Sequence, residues 1–291
     1  MIGKFGKRVH KDTKDRYYTD PNEAKRFVDM VDRRYGMENF SLCIEPSAGS
    51  GSFSQHLPSD NSVFYDISPA IDGIIEQDYF TVSHDPDNIL VIGNPPFGRV
   101  SSTAIRFFNH SAKFAEVIAF IIPQTFHRVS VQNKLDLNFR MVYNEDIDGC
   151  IFTPEMPAKC SFQIWERFQE PRQKIVLETT HPDWNFLSLG SEDENGQPTP
   201  PKNPSFAIGA YGVEVGRIVE SGFDKLRPKS WHWIRTDYKD ELIERFSGLN
   251  YSIAEKTVRQ PSLGRGELVQ LYVDSYPDSL NLLGNLEEFL K

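Results

Sequence analysis

The sequence predicts an α/β fold built on a mostly parallel sheet. Three observations predict it. Ile89-Leu90-Val91-Ile92 and Val117-Ile118-Ala119-Phe120-Ile121-Ile122 are apolar runs rich in β-branched residues, the pattern of strands buried on both faces. Segments of helical period, 21–35 and 101–113, alternate with such runs, which implies right-handed crossovers and parallel pairing. Several strands end in glycine, proline, acid or amide residues, the chemistry that open α/β sheets place at their ligand-binding edge.

Composition bounds the chain further. Its 291 residues suffice for one large domain or two small ones. No apolar run reaches membrane-spanning length, and the start lacks a secretory apolar core. Cys43, Cys150 and Cys160 are widely spaced, so neither a disulfide framework nor a metal site is expected, and a cytoplasmic location is. A net charge of −9 argues against broad non-specific nucleic-acid binding while leaving room for a local basic patch.

In chain order, residues 1–16 are basic, through Lys4, Lys7, Arg8, Lys11, Lys14 and Arg16. Two readings stand for them, a solvated leader and an arm that contacts phosphates. Thr19 or Asp20 can cap a helix over 21–35, with Pro21 in its first turn and Ala24, Phe27, Val28 and Val31 on its apolar face. Strand 41–44 runs into Glu45-Pro46-Ser47-Ala48-Gly49-Ser50-Gly51, where Gly49 and Gly51 permit a tight turn and close approach of backbone to a ligand. The loop lacks the Lys-Ser/Thr pair of a triphosphate site, and the Glu45 carboxylate suits an ammonium or hydroxyl group. Strand 62–67 places Asp66 where a carboxylate meets ribose hydroxyls, with Ile67 beside it. A short strand over 74–80 brings Asp78 to its end, as an acceptor for an adenine amino group, with Tyr79 or Phe80 beside the ring.

Ile89–Gly93 then leads into Asn94-Pro95-Pro96-Phe97. Two prolines cannot continue a ladder, so the chain leaves the sheet there. The Asn94 amide oxygen and the Pro95 carbonyl together suit one donor with two N–H bonds, and Phe97 offers a flat face to the ring that carries it. Short helix 130–137 and strand 139–143 follow, then a loop over 150–157 and an alternating strand 160–168 that pairs antiparallel with its predecessor. Arg99, His127 and Arg128 flank the cleft. His127 has no identifiable Ser or Cys partner in the sequence and is not read as part of a triad.

The pattern resembles the Rossmann-like, seven-stranded sheet of S-adenosylmethionine-dependent methyltransferases, mostly parallel with an antiparallel last strand. Glu45–Phe53 looks like motif I, Asn94–Gly98 like motif IV, and Tyr18-Thr19-Asp20-Pro21 like motif X, with Asp20 departing from the usual Thr-Pro-Pro. This order resembles the γ group of DNA adenine-N6 methyltransferases, and Phe152 falls where that group carries a base-packing aromatic. Similar Asn-Pro-Pro-aromatic strands occur in enzymes that methylate ribosomal RNA bases and a protein glutamine amide. The resemblance implies S-adenosyl-L-methionine as cofactor, held by Tyr18, Thr19, Glu45, Pro46, Ala48, Gly49, Gly51, Asp66, Ile67, Asp78, Tyr79 and Asn94. It implies catalysis by Asn94, Pro95, Pro96 and Phe97 on a flipped adenine in DNA, with Phe97 and Phe152 one on each face of the base. An RNA base methyltransferase and a catalytically silent recognition subunit are the alternatives.

The catalytic domain is expected over 1–170, a linker or long loop over 171–204, and a smaller α+β unit over 205–291. That last unit should hold strands at 205–213, 231–235 and 268–273 and a helix at 239–247. In the γ group such a unit reads the target, which makes Trp231, Trp233, Arg235, Arg259 and Gly264-Arg265-Gly266 candidate contacts; a core role for the two tryptophans is favoured.

Overall fold

The computed structural model describes residues 17–85, 87–149, 151–155, 158–257 and 260–277. The basic segment 1–16, Cys150 and Arg259 lie outside them. The chain forms two compact units that part between Lys174 and Ile175.

The first unit holds β1 (Tyr18–Thr19), α1 (Pro21–Tyr35), β2 (Leu42–Glu45), β3 (Ser62–Asp66), β4 (Ile75–Glu76), β5 (Ile89–Gly93), α2 (Ser102–Ser111), β6 (Val117–Pro123), α3 (Val129–Gln132), β7 (Phe139–Ile147), β8 (Phe152–Thr153) and β9 (Cys160–Arg167). Seven of these strands form one sheet in the order β4-β3-β2-β5-β6-β9-β7. Pairing is parallel from β4 through β6, and β9 runs antiparallel to both of its neighbours. This is the Rossmann-like, mostly parallel seven-stranded sheet that the sequence predicts.

Side-chain alternation explains why the strands read as continuously apolar. Leu90 and Ile92 of β5 pack against Ala24, Phe27, Val28 and Val31 of α1 on one face. Ile89 and Val91 pack against Ala104, Phe107 and Phe108 of α2 on the other. Both faces are covered, so both phases of the period-2 pattern must be apolar. Asp20 caps α1, its carboxylate accepting from the N–H groups of Asn22 (2.8 Å) and Glu23 (3.3 Å), with Pro21 at the first helical position.

The strand order reverses direction between β2 and β5. The chain proceeds outward from β2 to β3 and β4, then returns to β5 on the other side of β2. Such a switch point leaves a crevice at the carboxyl ends of the two strands, free of crossing connections. Glu45 closes β2 and Asn94 follows β5, so both arrive at that crevice.

Four expectations for this unit need correction. The strand expected over 74–80 is only Ile75–Glu76, because the Asp78 carboxylate accepts from the Phe80 N–H (3.0 Å) and winds 79–81 into a 3-10 turn. The helix expected over 130–137 is one turn, Val129–Gln132. Strand β7 runs on to Ile147 and pairs with β9 along its length. The loop expected over 150–157 contains β8, which pairs antiparallel with β1 through Tyr18 with Thr153 and Thr19 with Phe152.

The second unit carries an antiparallel four-stranded sheet of β10 (Asn185–Phe186), β11 (Phe206–Gly209), β12 (Ile218–Val219) and β13 (Trp231–Arg235), in the order β10-β13-β11-β12, with α4 (Lys239–Ser247) and α5 (Arg265–Ser275). Residues 175–204 belong to this unit and supply it with β10 and the buried Trp184. Phe206, Ile208 and Ile234 pack with Phe246, Leu268 and Tyr272 on one face, and Ala207, Trp231 and Trp233 cluster on the other. Both candidate tryptophans are thus core residues. The expected strand over 268–273 is a helix: Leu268, Val269 and Tyr272 are buried while Gln270 is exposed, a helical spacing, and the Gly264 N–H donates to the Glu267 side chain (2.7 Å) at its start.

Candidate functional site

Two clusters of expected residues assemble at the carboxyl edge of the sheet. The first surrounds the glycine loop. Gly49 adopts a left-handed φ of 53°, and its N–H donates to Asp66 Oδ2 (2.9 Å). A Cβ on Gly49 would sit 3.0 Å from the Tyr18 ring, tighter than an ordinary contact, so the close approach and the left-handed backbone both favour glycine there. The second Asp66 oxygen accepts from the Ser68 N–H (2.7 Å). A carboxylate offers about four acceptor positions, so each oxygen retains capacity for a further donor. Ile67 beside it is 57% exposed, an apolar surface next to an anchored carboxylate. Ala48 and Thr19 are buried beneath the loop, and Ser52 ties the loop to β1 by donating to the Thr19 carbonyl (2.6 Å).

The second cluster lies at the switch point. Glu45 is 2% exposed, and its Oε2 is buried with no hydrogen-bond partner. Burial pushes its carboxyl well above the usual carboxylate range, with the Asp66 charge adding to the effect, against the N–H groups of Phe53 and Ser54 that favour the ion. Gly93 passes directly over it: a Cβ there would lie 3.3 Å from Glu45 Cγ. Asn94 follows. Its Nδ2 donates to the Tyr17 carbonyl (3.4 Å) and its own carbonyl accepts from Ser47 Oγ (3.1 Å), while its Oδ1 is buried without a partner. Unpaired buried acceptors each cost about 1–3 kcal/mol, so two of them at the mouth of one crevice mark a place built for donors. Pro95 and Pro46 are buried and Pro96 is half-buried.

The aromatic residues are arranged differently from the expectation. Phe97 and Phe152 do come together, at 6.1 Å between centroids, but edge to face at 80°. They are 8% and 4% exposed and belong to the core on the α1 side. As placed they do not oppose one another across a flat ring, because their planes stand nearly perpendicular and in contact. Tyr79 is a core residue as well: it stacks on Phe107 at 5.5 Å and its hydroxyl bonds to Ser111 Oγ (3.0 Å). Its neighbour Asp78 caps a turn, and Phe80 lies half-buried under the Arg106 guanidinium.

His127 has the partner that the sequence did not reveal. Its Nε2 lies 3.2 Å from Ser161 Oγ and 3.0 Å from Asp146 Oδ1, and Ser161 donates to Asp146 (2.7 Å). One ring nitrogen faces both groups, so the Ser-His-Asp relay order is absent. Sequence reasoning also missed Ser47, Gly93 and Tyr17, which hold Asn94 and Glu45 in place. Gly93 alone carries a legible sign, a glycine closing an otherwise β-branched strand.

The loop after Phe97 is strained. Val100 and Ser101 have φ of 52° and 60°, a left-handed backbone that costs on the order of 1–3 kcal/mol for a non-glycine residue.

No family model matches the chain, and no curated protein matches it. Solved structures do. A 23S ribosomal RNA methyltransferase, ErmE, aligns at 16% identity with a TM-score of 0.40, covering 54% of this chain and 71% of its own. A candidate class I S-adenosylmethionine-dependent methyltransferase from Listeria monocytogenes aligns at 12% identity with a TM-score of 0.44, covering 54% of this chain and 64% of its own. The magnesium protoporphyrin IX methyltransferase ChlM from Synechocystis PCC 6803, solved with S-adenosylmethionine bound, aligns at 13% identity with a TM-score of 0.37, covering 50% of this chain and 79% of its own.

Proposed function

We propose that the chain transfers a methyl group from S-adenosyl-L-methionine to the exocyclic N6 amine of an adenine flipped out of DNA. The observation that carries this reading is the Asn94 side chain, whose Oδ1 is a buried acceptor without a donor at the carboxyl end of β5. Tyr17 and Ser47 fix the residue, so that its Oδ1 is the atom left to receive an N–H.

The residues of the glycine loop suit the cofactor. Asp66 has acceptor capacity for ribose hydroxyls, exposed Ile67 offers an apolar surface for adenine, and the unpartnered Glu45 oxygen suits a cationic end. When bound, S-adenosylmethionine supplies an electrophilic methyl group on a sulfonium. The chain's own part is to hold the amine. The lone pair of an adenine amine is conjugated with its ring, and the nitrogen gains charge only as it becomes tetrahedral. Asn94 Oδ1 and the Pro95 carbonyl, accepting its two N–H bonds, favour that geometry as charge develops. Fixed orientation at the switch point supplies a further share of the rate. Contact of Phe97 and Phe152 with a base requires the two rings to turn from their edge-to-face packing.

The test is tritiated methyl transfer to unmethylated duplex DNA, with structured RNA in parallel, followed by nucleoside identification. Labelled N6-methyladenine from DNA is expected, and Asn94→Ala should lower transfer about 10²–10³-fold with cofactor affinity nearly unchanged. Label in RNA alone would assign an RNA base as substrate. Cofactor binding with no label in either would turn the reading to a protein substrate or a silent recognition subunit.

A further inference from the structure

The loop that leaves Asn94-Pro-Pro-Phe displays its most unfavourable residue to solvent. Val100 combines a left-handed backbone (φ 52°, ψ 41°) with 72% exposure. A β-branched residue is poorly suited to that backbone, and an exposed valine gains nothing from burial to offset it. The conformation is nonetheless over-determined from beneath. Ser101, also left-handed and fully buried, bonds through Oγ to Thr125 Oγ1 (2.6 Å). The Phe97 carbonyl accepts from the N–H groups of both Thr103 (3.2 Å) and Ala104 (3.3 Å), which fixes the start of α2. The loop therefore holds Val100 out on a rigid base three residues beyond Phe97, within about 10 Å of it along the chain. Exposed Arg99 stands beside it.

We infer that Val100 is an apolar wedge that enters the base stack of duplex DNA as the target base leaves it, with Arg99 on the adjacent phosphate. The inference rests on the methyl-transfer reading above. Extruding a base leaves an unstacked gap, and proteins that deform duplexes fill such gaps with apolar side chains. A wedge does this best when its backbone is ordered in advance, because no further ordering is then needed on binding. A strained, exposed valine six residues along the chain from Asn94, on a hydrogen-bonded base, meets both requirements.

The test first maps methylated positions on unmethylated duplex DNA with the native chain. A duplex bearing one mapped site is then made in two forms, with the target adenine paired to thymine or facing an abasic gap. Val100→Asn keeps a residue that tolerates left-handed backbone, and Val100→Gly removes both side chain and strain. Both variants should lose about tenfold in kcat/KM on the paired target and stay within about twofold of the native chain on the unpaired one, with melting temperatures no lower. Equal loss on both targets would make Val100 a packing residue, and no loss on either would remove it from recognition; each result overturns the wedge. Absence of transfer to duplex DNA by the native chain would instead refute the DNA methyl-transfer reading itself.

Discussion

Glu45 shows what a single buried carboxyl can report. Its folded pKa lies above its unfolded one because burial disfavours the ion. Between those two values the folded chain holds a proton that the unfolded chain has lost, so this residue's contribution to stability falls as pH rises. A cationic ligand group against Oε2 favours the ion, so binding releases that proton and the apparent Kd should fall as pH rises through the free-state pKa. Calorimetric titration across pH should show this slope in the native chain, and Glu45→Gln should flatten it; an equal slope in the variant would remove Glu45 from the cofactor site. At this scale the sequence was legible where chemistry leaves a local mark, as for Glu45, Gly49, Asp66 and Asn94. It was silent where only the third dimension decides. Tyr79 follows an acid at an expected strand end, as a ligand contact would, yet its hydroxyl finds Ser111 across the core. Ser161 lies thirty-four positions from His127 and meets it only because β9 folds back between β6 and β7.

Elements were legible in proportion to the length of their pattern. The two-faced burial of β5 and β6 and the capped, amphipathic α1 follow from the order of residues alone. The short ladder between β1 and β8 does not: two residues carry no period, and the pairing depends on the chain returning after β7. Leu268–Val273 misled for the opposite reason. A mostly apolar run with two valines and a tyrosine suits a strand by propensity, but burial of Leu268, Val269 and Tyr272 with Gln270 exposed is helical. The distinction is measurable. Leu268→Ala should destabilise the second unit by about 2–5 kcal/mol, whereas Gln270→Ala, which loses only a surface bond to Asp274, should stay within about 0.5 kcal/mol. Denaturant titration of both variants checks it. A comparable loss for Gln270→Ala would place that side chain on the buried face, as a strand would.

For the whole molecule, the sheet order, with its reversal between β2 and β5, accounts for why residues as distant in sequence as Glu45, Asp66 and Asn94 reach one edge. The second unit has its own core, built from Trp184, Phe206, Ile234, Phe246 and Tyr272. Each unit thus buries an apolar interior of its own, the condition for unfolding as a separate cooperative body. The proposed cofactor residues all fall in the first unit. A ligand that binds one body stabilises only that body, by about 2.7 kcal/mol at a free concentration of 100 times Kd. Differential scanning calorimetry should therefore resolve two transitions, of which S-adenosylmethionine raises one and leaves the other in place. Leu268→Ala should lower the transition that the ligand does not move, which assigns each peak to its unit. A single transition, shifted as a whole by both the ligand and the variant, would show that the two cores unfold together, and the second unit would then have to be treated as part of the catalytic body.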